Sequence, residues 1–158
     1  MSGKTENLLA VLNLQPVVPV LVVEDAASAV PLARALVAGG LKAIEITLRT
    51  PAALEAIRLV ASEVEGAVAG AGTILNAAQF DQAIAAGSQF IVSPGTTREL
   101  LDAAAQSPVP LLPGAATASE VMALREEGYR VLKFFPAEQA GGAAYLKALS
   151  SPLAGTLF

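Results

Sequence analysis

The chain has 158 residues, a formal net charge of −4 and 54% hydrophobic residues, with neither cysteine nor histidine. This length suits one domain with a real core, and interspersed charge without a basic run argues against a nucleic-acid partner. Lacking cysteine and histidine removes disulfides, thiolate chemistry, the commonest metal ligands and the commonest general base, so no metal or cofactor is expected and acid-base work falls to carboxylate, lysine or tyrosine.

The opening MSGKTENLLAVLNLQP lacks the apolar core and cleavage site of a secretory signal, and no apolar run is long enough to cross a bilayer. The chain therefore reads as a soluble, cytoplasmic protein with no membrane partner. Short apolar, β-rich stretches follow at residues 17–23, 43–47, 67–71, 90–93, 109–113 and 130–135, separated by Ala- and Leu-rich segments of helical period. Helix starts are expected at Thr50-Pro51 and, as capping boxes, at Asn76, Thr96 and Thr117, each three residues before Gln79, Glu99 or Glu120. Gly39-Gly40, Gly87 and Gly128 suit helix ends.

Three segments, ALVAGGLKAIE, AIAAGSQFIV and ALREEGYRVLK, share the order helix end, glycine, short joint, strand. The recurrence favours an α/β (β/α)8 TIM-type barrel over an open Rossmann sheet, as one domain over residues 1–158. In such a barrel the residues to inspect lie at the C-terminal ends of the strands. They are Glu45, Thr47 and Arg49, then Gly72 and Thr73, Ser93 and Pro94, Pro113 and Gly114, and finally Lys133 and Phe135.

Alternation along a strand puts Glu45, Thr47 and Arg49 on one face and Ile44, Ile46 and Leu48 on the other, with Lys133 and Phe135 sharing a face. Glu45 and Lys133 each fall five residues after a helix-ending glycine, Gly40 or Gly128, which predicts equivalent heights. An acid, an amine and a guanidinium then converge on one mouth. The amine of a lysine buried beside another cation can be nucleophilic near neutral pH and attack a ketone, Glu45 is placed to take a proton, and Arg49 offers a forked donor for a carboxylate. Thr73 adds a hydroxyl.

Blander roles stay open at this point. Lys133 and Glu45 also suit a structural ion pair, Arg49 a surface loop, Phe135 the core, and Pro94-Gly95 and Pro113-Gly114 plain turns. GAGTIL, residues 70–75, lacks the third glycine and the following acid of a dinucleotide fingerprint, so its glycines read as close backbone packing.

Residues 17–50, GAGT at 70–73, SPG at 93–95 and KFFPAE at 133–138 together resemble the 2-keto-3-deoxy-6-phosphogluconate aldolase family, also called 4-hydroxy-2-oxoglutarate aldolase, over nearly the whole chain. The resemblance implies a homotrimeric barrel enzyme of the Entner–Doudoroff route. It would cleave the phosphorylated keto acid to pyruvate and glyceraldehyde 3-phosphate, or 4-hydroxy-2-oxoglutarate to pyruvate and glyoxylate. It implies Lys133 as the Schiff-base lysine, Glu45 as general acid/base, and Arg49 and Thr73 as holders of the pyruvate portion; Pro94 and Phe135, at the same strand ends, complete the candidate substrate-binding residues.

The resemblance further implies that strands seven and eight follow Phe158, and barrels commonly build their phosphate site beyond those strands. A chain without them is expected to expose two sheet edges, bind phosphate poorly and be inactive or marginally stable. Alternatively, this sequence is part of a longer protein. Two functions are thus carried forward: a metal-independent class I aldolase, and a non-catalytic fragment or assembly module pairing through its open edge.

Overall fold

Strands and helices alternate along the chain in a computed structural model that describes residues 3–158. Met1 and Ser2, part of the segment read above for a leader, lie outside the described residues. The elements are α1 (Gly3–Leu12), β1 (Val20–Leu21), α2 (Ala29–Ala38), β2 (Ala43–Thr47), α3 (Ala53–Glu63), β3 (Val68–Gly72), α4 (Ala77–Ala85), β4 (Phe90–Val92), α5 (Arg98–Gln106), β5 (Leu111–Leu112), β6 (Gly114–Ala115), α6 (Ala118–Glu126), β7 (Lys133–Phe134) and α7 (Gly142–Ser150). β1 to β5 form one parallel sheet in chain order and β6 pairs with β7, also parallel. No helix among the described residues is long and apolar enough to cross a membrane.

Two apolar layers hold this sheet. Ile44, Ile46, Ala69, Ala71 and Ile91 face outward and are sealed by Ala33, Ala53, Ala56, Ile57, Val60 and Ala83 of the helices, all fully buried. The alanines let helix axes approach the sheet, and each large side chain buried there contributes about 1.5–3 kcal/mol. Ala43, Phe90 and Val92 face inward with Val18, Val68 and Leu112. Gly70 makes room for this inner layer: a Cβ there would stand 2.2 Å from the Phe90 ring.

The stagger between strands is that of a barrel. From Glu45 the ladder runs through Gly70 to Phe90 and reaches the fifth strand one residue before Leu111, whereas Lys133 is paired with Gly114, four residues further along. Closing eight tilted strands requires about one residue of offset per strand, so over four steps this shift restores equal height. Residues that face inward at those two points meet across the mouth.

The strands are shorter than the sequence implies. Of residues 17–23 only Val20–Leu21 form ladder pairs, and of 109–113 only Leu111–Leu112 do, as β5, with Pro113, which has no N–H to donate, separating them from β6. Its carbonyl still accepts from Lys133 at 2.9 Å, so the backbone continues through the break. The last strand stretch holds Lys133–Phe134 plus a single parallel bridge from Val131 to Leu157.

Helix chemistry follows the expectations at Thr117, a full capping box, and partly at Asn76, whose side chain caps Gln79 N while Gln79 reaches back to Leu75 N. α5 is capped by Thr97 rather than Thr96: its hydroxyl accepts from Leu100 N, leaving Glu99 outside the position a capping box requires. α3 starts at Ala53 without a side-chain cap, because the Thr50 hydroxyl donates to Val23 O instead. Gly40, Gly87 and Gly128 all take left-handed φ at helix ends. α1 has no counterpart among the elements expected from the sequence. Gln15, just beyond it, pins this segment under β2 by accepting from Ala43 N at 2.8 Å and donating to Ala43 O at 2.7 Å.

Candidate active site

β2 carries the acid. Glu45 is 4% exposed and Thr47 is fully buried; the Thr47 hydroxyl donates to Leu21 O at 2.9 Å, tying β2 to β1. The carboxyl of Glu45 leans toward the strand ends and occupies space that Gly72 leaves open. A Cβ on Gly72 would stand 1.9 Å from Glu45 Oε1 and 2.6 Å from its Cδ. This oxygen is buried without a hydrogen-bond partner among the described residues. Burial pushes the Glu45 carboxyl above the ordinary value of 4.5, against the opposing pull of Lys133 and Arg49.

β7 carries the amine. Lys133 Nζ lies 3.7 Å from Glu45 Oε1, a charge contact too long for a hydrogen bond. The same nitrogen stands 5.4 Å from the centre of the Phe135 ring, within cation–π range. The lysine side chain is 28% exposed and the glutamate's 5%, so the lysine reaches solvent while the acid does not. Lys133 and Phe134 are partly buried, and Phe135, 38% exposed, lies at the rim, which sets aside the alternative of a core role.

At the ends of β2 and β3, Arg49 Nε donates to the Thr73 hydroxyl at 3.2 Å. That bond leaves the terminal nitrogens of an exposed guanidinium without a partner among the described residues. Thr73 has φ 59, the left-handed region, which costs a non-glycine residue about 1–2 kcal/mol. A backbone bond from Leu48 N to Gly72 O at 2.8 Å holds the two strand ends together, and Arg49 N turns back on Thr47 O at 2.8 Å within the end of β2.

The Ser93–Gly95 turn sits next to β6. A Cβ at Gly114 would lie 2.2 Å from the Pro94 carbonyl oxygen, so this glycine admits the turn beside the ladder position that pairs with Lys133. Pro94 thus reaches the site through backbone packing, while Glu45 and Lys133, and separately Arg49 and Thr73, meet through side chains. The sequence suggests close backbone packing for Gly72 and a turn for Gly114, without naming the neighbours they admit. The available signal was parity: Gly70 and Gly72 are both inward positions of β3, where missing side chains leave room for neighbours.

No cluster of three metal-ligating side chains occurs among the described residues. A cavity of about 200 Å³ lies between α1, α5 and residues 127–131, at the opposite ends of the strands. Its charged residues are engaged elsewhere, Glu127 with Arg98 and Arg130 with backbone carbonyls of Arg125 and Tyr129. The groups able to do chemistry are gathered at the strands' C-terminal ends.

The family model "KDPG and KHG aldolase" matches residues 8–158. A 2-dehydro-3-deoxy-phosphogluconate aldolase of Dickeya dadantii is 51% identical over 142 residues, 90% of this chain and 67% of that protein. The 2-keto-3-deoxy-6-phosphogluconate aldolase of Zymomonas mobilis, solved with 3-phosphoglycerate, superposes with TM-score 0.92 at 51% identity, over 96% of this chain and 72% of that one. A Legionella pneumophila KDPG aldolase, with pyruvate captured at low pH as a covalent carbinolamine intermediate, superposes with TM-score 0.87 at 45% identity, over 95% and 70%.

Proposed function

The chain belongs to the KDPG and KHG aldolase family, and from that membership we propose that it is a class I aldolase cleaving 2-keto-3-deoxy-6-phosphogluconate to pyruvate and glyceraldehyde 3-phosphate. 4-Hydroxy-2-oxoglutarate, which presents the same 2-keto-4-hydroxy acid, is the second substrate. The observation that carries this reading is the 3.7 Å approach of Glu45 to Lys133 beside an Arg49–Thr73 pair.

In this mechanism the Lys133 amine adds to the C2 ketone and water leaves as the C=N bond forms. The Glu45 carboxylate takes the proton of the C4 hydroxyl, the C3–C4 bond breaks, and its electrons pass into the iminium, giving an enamine and the free aldehyde. Glu45 returns the proton to C3, and water releases pyruvate from the lysine. A carboxyl whose affinity for protons is raised by burial suits both directions of that transfer. Arg49 holds the substrate carboxylate with the terminal nitrogens that Thr73 leaves free, and Phe135 and Pro94 line the approach. The lysine supplies the electron sink, so no metal is required.

A homotrimer in the cytoplasm, and one barrel domain carrying the whole reaction, complete the proposal; both follow from the family resemblance. The test is direct: pyruvate release from each keto acid, measured with a coupled dehydrogenase before and after chelation. Turnover that survives chelation supports the reading. A folded sample that releases no pyruvate favours the assembly-module alternative.

A further inference from the structure

We propose that Gly72 is a positioning residue for Glu45: by having no side chain it keeps open the buried slot from which the carboxylate faces Lys133. The proposal rests on the aldolase reading and extends it to a residue with no chemistry of its own. A Cβ at Gly72 would overlap Glu45 Oε1 at 1.9 Å, Cδ at 2.6 Å and Cγ at 2.7 Å. The overlap therefore involves most of the side chain, and turning the terminal carboxyl alone cannot relieve it. Gly72 has ordinary backbone φ, since it is not among the glycines with positive φ. An alanine there thus meets no backbone strain, and its cost lies in the displaced carboxyl.

The displacement has one direction. In the ladder Glu45 pairs with Gly70 and Thr47 with Gly72, and the Cβ position of Gly72 abuts the Glu45 carboxyl, so a group at residue 72 pushes the carboxyl out of its slot toward the mouth where the Lys133 side chain is 28% exposed. Imine formation at Lys133 would survive this, whereas proton transfer from the pyruvate methyl to Glu45 would not. Gly70 provides the contrast: its missing Cβ makes way for the Phe90 ring at 2.2 Å, an apolar packing role.

Two measurements on the protein separate positioning from mere packing. Borohydride trapping of pyruvate reports the imine, and solvent-deuterium exchange into the pyruvate methyl, followed by NMR, reports proton transfer. Gly72→Ala is expected to keep trapping within about threefold of the parent and lose exchange by about 100-fold or more. Its exchange profile should move to lower pH, because the carboxyl leaves its buried slot. A double-mutant cycle covers a Gly72→Ala variant that folds poorly. In a Glu45→Ala background the slot is vacant, so adding Gly72→Ala should cost less than about half the melting-temperature loss it causes alone. Unchanged exchange in Gly72→Ala, or additive melting losses in the cycle, would overturn the inference while parent trapping leaves the aldolase reading standing. A parent that traps no pyruvate would overturn both.

Discussion

Glu45 and Lys133 sit 3.7 Å apart with unequal exposure, the glutamate side chain sealed at 5% and the lysine side chain open at 28%. A stabilising ion pair gains from shared burial and mutual hydrogen bonds. Here the acid carries the desolvation cost, one oxygen is left without a hydrogen bond, and the amine faces the mouth. That asymmetry fits a proton carrier beside a nucleophile that substrate can reach.

Glu45→Gln removes the proposed proton carrier and leaves the shape. Cleavage should fall by about 10²–10⁴-fold while the lysine still forms its borohydride-stable adduct, as steady-state assay and intact mass will register. Equal loss of both would assign Glu45 to the lysine's environment alone.

The same substitution has a signature in stability. The folded-state affinity of Glu45 for its proton is raised above the ordinary 4.5, so the fold binds that proton more tightly than the unfolded chain does. Its favourable contribution is fully present below pH 4.5 and is lost as pH rises through the folded value. Melting curves of parent and Glu45→Gln should therefore diverge as pH rises from about 4.5 through the raised folded-state value, the variant gaining relative to the parent. A constant difference would contradict the burial argument.

Thr73→Ala deletes the hydroxyl that fixes Arg49 Nε at 3.2 Å. The expected result is a rise in KM for the keto acid of about 3–10-fold with a smaller change in kcat, since the guanidinium keeps its charge but loses its aim. Arg49→Ala should raise KM further. Initial-rate kinetics on the two variants decide the order.

Gly70→Ala tests the inner layer. A methyl 2.2 Å from the Phe90 ring must displace a fully buried aromatic, at a cost of about 1–3 kcal/mol by denaturant titration. A neutral result would mean that the ring has room to withdraw.

Strand alternation was enough to pick out Glu45 and Lys133, because a charged residue on the inward face of a covered parallel strand contradicts its surroundings. Arg49 and Thr73 were legible as candidates through their place after β2 and β3, but not their mutual bond, which depends on the left-handed turn at Thr73. The seat provided by Gly72 was hidden, since its effect lies in the atoms of a residue on another strand. Local ambiguity explains Thr97: two adjacent threonines compete for one cap, and tertiary placement chose the second. Helix α1 escaped for a similar reason, its position being held by Gln15 across 28 residues of sequence.

The central claim is that Lys133 forms a covalent bond with the keto acid, and mass spectrometry after borohydride reduction with pyruvate tests it most directly. One stable pyruvyl adduct per chain is expected, mapped by peptide analysis to Lys133 and absent in Lys133→Ala. A folded protein that stays unmodified at saturating pyruvate, or carries the adduct on another lysine, would contradict it.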